Sequence, residues 1–101
     1  MNIEEAIAEF KDLPAEVALV AKPPIVRSSE AAYVKLTEDY RVPASVAGEG
    51  FEYLIGAEDL RDLLAFASSK QLSSGAVAEF IIHYALYDCA PAWINDVPDR
   101  T

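Results

Sequence analysis

Ile3, Ile7, Phe10 and Leu13 recur at three- and four-residue steps, with Glu4, Glu5, Glu9 and Asp12 between them. That spacing predicts an amphipathic helix over residues 2–13, with acids at the end where the helix dipole favours them, stopping before Pro14. Residues 17–21, Val-Ala-Leu-Val-Ala, form an apolar run too short for a helix and predict a strand, closed by Lys22 and the Pro23-Pro24 pair. Ser28, Ser29 and Glu30 suit a turn before a second strand over 31–36, where Tyr33, Val34 and Leu36 give strand propensity but poor alternation. Residues 37–50 hold Pro43, Gly48 and Gly50 and few large apolar side chains. They predict a loop long enough to suggest a function.

Phe51, Tyr53 and Ile55 then alternate with Glu52 and Leu54 in a predicted strand that Gly56 ends. Leu60, Leu63, Leu64 and Ala67 share one helical face over 57–69, while Glu58, Asp59 and Asp62 fall elsewhere, so a second amphipathic helix is predicted there. Ser73 or Ser74 caps a third helix. Val77, Ala78, Ile81, Ile82 and Ala85 make one stripe of it and Phe80, Tyr84 and Tyr87 a second, so this helix must be covered on two sides. It is predicted to end near Cys89, ahead of Pro91, and the tail carries Trp93 and Ile94 before turning polar.

This order predicts a single α+β domain over residues 1–101, a small, mostly antiparallel sheet covered by about three helices. The shortness of the strands leaves an all-helical arrangement as the alternative. A chain of 101 residues with 52% apolar content can build one core without metals or disulfides.

Charge changes the picture. Seventeen acidic residues face eight basic ones, for a net charge of -9. The basic residues are scattered, which disfavours nucleic acid as a partner, because phosphate contacts need clustered Lys and Arg. The acids are clustered. Residues 38–62 carry Glu38, Asp39, Glu49, Glu52, Glu58, Asp59 and Asp62 against Arg41 and Arg61, whereas residues 17–37 carry Lys22, Arg27 and Lys35 against Glu30. Solubility alone accounts for many acidic surfaces; the local bias suggests a docking face for a cationic partner.

Cys89 is the single cysteine, so an internal disulfide is impossible and a reducing cytosol is the expected compartment. The opening MNIEEAIAEF lacks the basic start of a secretory signal, and no apolar run approaches the roughly 18–20 residues that span a bilayer. A cytoplasmic protein that avoids membranes is expected.

Candidate chemistry is sparse. His83, the one histidine, lies six residues before Cys89, a spacing that puts the two on different faces of a helix and suits no nucleophile–base pair. Cys89 reads as a small buried side chain. One His and one Cys lack the grouped spacing of zinc sites, and no calcium-type acidic loop is present. Glu58 and Asp62, one turn apart, suit the helix dipole better than a cation. The four glycines form no phosphate-binding loop. No catalytic residue, metal or cofactor is therefore expected. The stripe Phe80, Tyr84, Tyr87 with Trp93 has two readings, a second core layer or the apolar centre of an interface.

Residues 50–64, Gly-Phe-Glu-Tyr-Leu-Ile-Gly-Ala-Glu-Asp-Leu-Arg-Asp-Leu-Leu, followed by 79–94, Glu-Phe-Ile-Ile-His-Tyr-Ala-Leu-Tyr-Asp-Cys-Ala-Pro-Ala-Trp-Ile, resemble the C-terminal half of small acidic bacterial immunity proteins of contact-dependent inhibition and related polymorphic toxin systems. The shared pattern is a glycine-led strand, a helix, and a second helix with an aromatic pair and an Asp before a closing apolar turn. Cys89-Ala-Pro91 after Asp88 departs from it. The resemblance implies a non-enzymatic protein that binds a cognate toxin domain, often a basic nuclease, in the cytosol. On that reading Glu38, Asp39, Glu49, Glu52, Asp59 and Asp62 form the acidic face, and Tyr53 and Trp93 supply apolar anchors. Two other readings stand beside it: a homo-oligomeric adaptor, built on the two-sided third helix, and a small acid–base enzyme.

Overall fold

A computed structural model describes residues 1–100. Its elements are α1 (Ile3–Ala8), β1 (Val17–Ala21), β2 (Ala31–Lys35), α2 (Ala44–Ala47), β3 (Glu52–Gly56), α3 (Ala57–Ser68), α4 (Ser74–Tyr87) and a closing 3-10 turn at Ala92–Asp96. The strands form an antiparallel sheet in the order β2-β1-β3. The α+β class is thus the one this chain adopts, and the all-helical alternative is excluded.

The helix starts follow from local sequence. Asn2 accepts a bond from the Glu5 N–H at 2.8 Å, and the Glu5 carboxylate accepts one from the Asn2 N–H at 2.9 Å, closing a capping box on α1. Ser73 caps α4 by accepting from the Ala76 N–H at 3.2 Å.

The first helix is shorter than its apolar spacing predicts, and the cause lies 27 residues away. A continued helix would send the Phe10 N–H to the Ala6 carbonyl. The Tyr33 hydroxyl donates to that carbonyl at 2.6 Å, and the Phe10 N–H turns to Ile7 instead. Phe10 leaves the helix and lies against the Tyr33 ring, centroids 6.2 Å apart.

The alternation expected in the third strand also fails. Leu19 pairs with Ile55 and Val20 with Tyr53, so Leu54 is an extra residue in β3, a bulge that breaks the two-residue period. Leu54 and Ile55 are both buried, while Tyr53, expected on the face of Phe51 and Ile55, stands 52% exposed. The loop expected over 37–50 contains the single-turn helix α2, which starts at Pro43 and buries none of its side chains.

Helices α1, α3 and α4 meet one face of the sheet through Ile3, Ile7, Leu19, Ile55, Leu60, Phe80 and Ile81. The expected cover on two sides of α4 is incomplete: Ile81 and Phe80 are fully buried, and Phe80 packs against Phe66 with ring centroids 5.7 Å apart, but Tyr84 is half-buried and Tyr87 is 65% exposed. Ala18 and Val20 point to the opposite side of the sheet and are fully buried as well, outside that cluster; Leu36 and Phe51 are buried outside it too. No helix among the described residues is long and apolar enough to cross a membrane.

Candidate partner-binding surface

The strand-to-helix junction β3–α3 is the centre of the surface. Tyr53 leaves the bulged strand and folds back over Gly56, where a Cβ would come within 3.0 Å of the tyrosine hydroxyl oxygen. A side chain at Gly56 would have to displace that hydroxyl by a few tenths of an ångström. Burial pushes the Tyr53 pKa up and the Asp59 carboxylate pushes it further, while a hydrogen bond with the Gly56 backbone opposes them.

Tyr53 and Asp59 together form a ridge between two depressions. On one side lies a volume of about 440 Å³ lined by Ala15, Leu36, Tyr40 and Glu58 as well as the ridge. On the other lies one of about 110 Å³, bounded by Tyr84 and Asp88 of the α4 end and by Leu54 and Ile55. Two residues outside regular structure shape these walls. Tyr40 (φ 58°) and Asp88 (φ 59°) are the two non-glycine residues with positive φ among the described residues. Each lines one of the two depressions.

Tyr40 is set by a tight turn. Its N–H bonds the Thr37 carbonyl at 2.8 Å, the Arg41 N–H bonds the Thr37 hydroxyl at 3.1 Å, and Glu38 and Asp39 occupy the tip. A type I turn followed by a left-handed residue has this pattern. The Tyr40 side chain ends 68% exposed. Asp88 closes α4 in the left-handed conformation, its N–H bonded to Tyr84 O.

Electrostatics sets this region apart. The ion pairs among the described residues are Lys22–Glu30, Arg27–Glu4, Arg27–Glu79, Arg61–Asp12 and Lys70–Asp99, at 2.8–3.5 Å. None of them uses an acid from residues 38–62. Arg61, which lies in that stretch, spends its charge on Asp12 at 2.9 Å. A larger depression of about 510 Å³ lies near the N-terminus of α4, but its Arg27 is held by its own Glu4 and Glu79. Its charges answer one another.

Of the eight residues expected at the interface, Tyr53 and Asp59 line the depressions. Glu38 and Asp39 flank them through the Tyr40 turn, Glu52 precedes Tyr53 on β3, and Asp62 sits a turn beyond Asp59 on exposed α3 surface. Glu49 lies between α2 and β3. Trp93 is 39% exposed on the closing 3-10 turn and lines neither depression. Tyr40 and Asp88 were not expected at this surface; Tyr84 was expected either in a second core layer or at an interface, and Glu58 was expected as one of the clustered acids that suits the helix dipole.

Cys89 corrects another expectation, since it is exposed rather than buried. Once Asp88 takes the left-handed conformation, the chain leaves the helix and the Cys89 backbone turns back. His83 Nδ1 lies 2.9 Å from the Cys89 carbonyl oxygen, and the His83 ring packs on Tyr87 at 4.8 Å. Among the described residues no three His, Cys, Asp or Glu side chains gather as metal ligands would.

The chain was compared with protein-family models, curated proteins and solved structures, and it matches none of them.

Proposed function

We propose that this protein is a cytosolic binding protein that docks a basic protein onto the Tyr40–Tyr53–Asp59 surface, as an immunity protein neutralises a cognate toxin domain. One observation carries the reading. The seven acids of residues 38–62 make no ion pair among the described residues, and exposed tyrosines stand among them at the two depressions.

The physical logic is that of a nuclease inhibitor. A nuclease attracts phosphates with a positive groove, and clustered carboxylates present that groove with a similar field. Such complementarity raises association rates from about 10⁵–10⁶ to about 10⁸–10⁹ per molar per second at low salt. Tyrosines supply what charge does not: large, stiff contact area with a polar tip, the composition of interface anchors.

The test starts at the gene. A toxin reading frame directly upstream is expected, and its absence counts against the immunity reading. With its product as ligand, stopped-flow association at low ionic strength should slow at least tenfold in the triple variant Glu49→Lys, Glu52→Lys, Asp59→Lys, and the salt dependence should flatten. Unchanged association kinetics in that variant would refute the acidic-face mechanism.

A further inference from the structure

We infer that the smaller depression, between the Tyr53–Asp59 ridge and the Tyr84–Asp88 end of α4, is a receptor for one arginine side chain of the protein partner. The inference rests on the docking surface proposed above and deepens it by naming the group that is recognised.

Size comes first. A depression of about 110 Å³ has room for a small planar head group such as a guanidinium. The neighbouring depression of about 440 Å³ is too wide to select a single head group.

The walls fit the same occupant. Two tyrosines offer rings for stacking, and Leu54 and Ile55 line the depression beside them, suited to the methylene stem. Arginine is the cation matched to such walls, because its planar, weakly hydrated guanidinium stacks on aromatic faces and pairs bidentately with carboxylates. A lysine ammonium is more strongly hydrated and has no plane to stack.

Charge points the same way from two independent sources. Asp59 and Asp88 are both without an ion-pair partner among the described residues. In addition, α4 runs for 14 residues and ends at this depression with no basic residue in its last turn. The partial negative charge of a helix C-terminus attracts cations. Nothing in the last turn of α4 answers it, and an incoming arginine would.

The probe is N-acetyl-arginine N-methylamide, titrated into the ¹⁵N-labelled full chain and followed by NMR, with the lysine analogue alongside. Saturable shifts confined to Tyr53–Ile55, Asp59 and Tyr84–Asp88 are expected, at least threefold tighter for arginine than for lysine. Asp88→Asn should weaken arginine binding at least fivefold while its amide spectrum elsewhere stays native. Equal binding of both analogues, or unsaturated shifts spread over all the acids, overturns the inference. If the toxin is still captured with salt-sensitive kinetics in that case, the docking surface stands and only the arginine receptor falls. If the arginine probe saturates this depression and Asp88→Asn slows toxin capture, while charge reversal confined to Glu49 and Glu52, which do not line the depression, leaves capture unchanged, the receptor stands and the wider acidic face falls.

Discussion

Removing the charge of Asp88 should make the fold more stable. Asp88 caps the negative end of a 14-residue helix whose last turn has no basic residue, and it shares a depression with Asp59. Both neighbours repel a carboxylate. A like-signed charge at an exposed helix end costs about 0.3–1 kcal/mol at low ionic strength, and asparagine tolerates the left-handed backbone at φ 59° at least as well as aspartate. Asp88→Asn should therefore gain that amount. For a domain of this size about 1 kcal/mol moves Tm by about 4–8 °C, so a rise of a few degrees is expected. Asp88→Gly removes the same charge and also the left-handed penalty, of order 1 kcal/mol, less about 0.5–1 kcal/mol for the freedom glycine loses on folding. Its gain should match or slightly exceed that of Asn. Thermal unfolding followed by circular dichroism, at low salt and at about 1 M salt where the screening length is about 3 Å, separates the two parts. The Asn gain should disappear in high salt, and any excess of Gly over Asn should persist. A lower Tm for Asp88→Asn at low salt would show that the carboxylate supports the fold, and would remove the argument that it is held there for a partner.

Two other perturbations probe the same logic. Tyr40→Gly releases a bulky side chain from φ 58°, a relief of roughly 1–2 kcal/mol offset by about 0.5–1 kcal/mol of glycine entropy; urea unfolding should show a net gain of about 0.5–1 kcal/mol, and a loss of stability would refute the strain argument. Tyr33→Phe deletes the donor to the Ala6 carbonyl and should cost about 1 kcal/mol. Burial, with the Glu9 carboxylate nearby, raises the Tyr33 pKa from 10.0 to about 12, so the folded state holds this proton more tightly than the unfolded chain. Its contribution is complete below pH 10 and falls away as pH climbs from 10 to 12. Two units correspond to about 2.7 kcal/mol, and solvent screening of the half-exposed ring brings the expected loss to about 1 kcal/mol. Urea midpoints across that interval should drop less steeply in Tyr33→Phe than in the parent; parallel curves would refute the assignment.

Local patterns carried much of the architecture. The apolar period of Leu60 to Ala67 and the cap at Ser73 fix α3 and α4 without reference to anything distant, because caps and faces are set within one or two turns. Elements decided by tertiary contact were not legible in this way. Phe10 and Leu13 continue the helical period of Ile7, yet the helix stops because the Tyr33 hydroxyl occupies the carbonyl it needs. The pattern around Phe51 reads as simple alternation, and one extra residue at Leu54 reverses which side chain faces water. The candidate surface divides along the same line. Tyr53 and Asp59 lie in one acidic strand–helix segment and could be picked from it. Tyr40 and Tyr84 lie 44 residues apart and reach the same ridge only through the sheet. Asp88 did leave a local trace, an acid at a helix end two residues before the Ala90-Pro91 step, where helix stops commonly carry a left-handed residue.

The disposition of strain bears on why this surface exists. A chain selected only for stability would place glycine or asparagine wherever φ is positive, and a basic residue in the last turn of α4. Here Tyr40 and Asp88 occupy the left-handed positions, and neither recovers its cost from burial, since both are exposed. Departures from local rules concentrate at functional sites, where what is lost in folding is returned on binding. That both departures line depressions sharing the Tyr53–Asp59 ridge is difficult to assign to solubility, which needs charge but not strain and is indifferent to where tyrosines stand. A cationic protein closing over the ridge would cover Tyr40, neutralise Asp88 and supply the missing positive group at the end of α4 in one event.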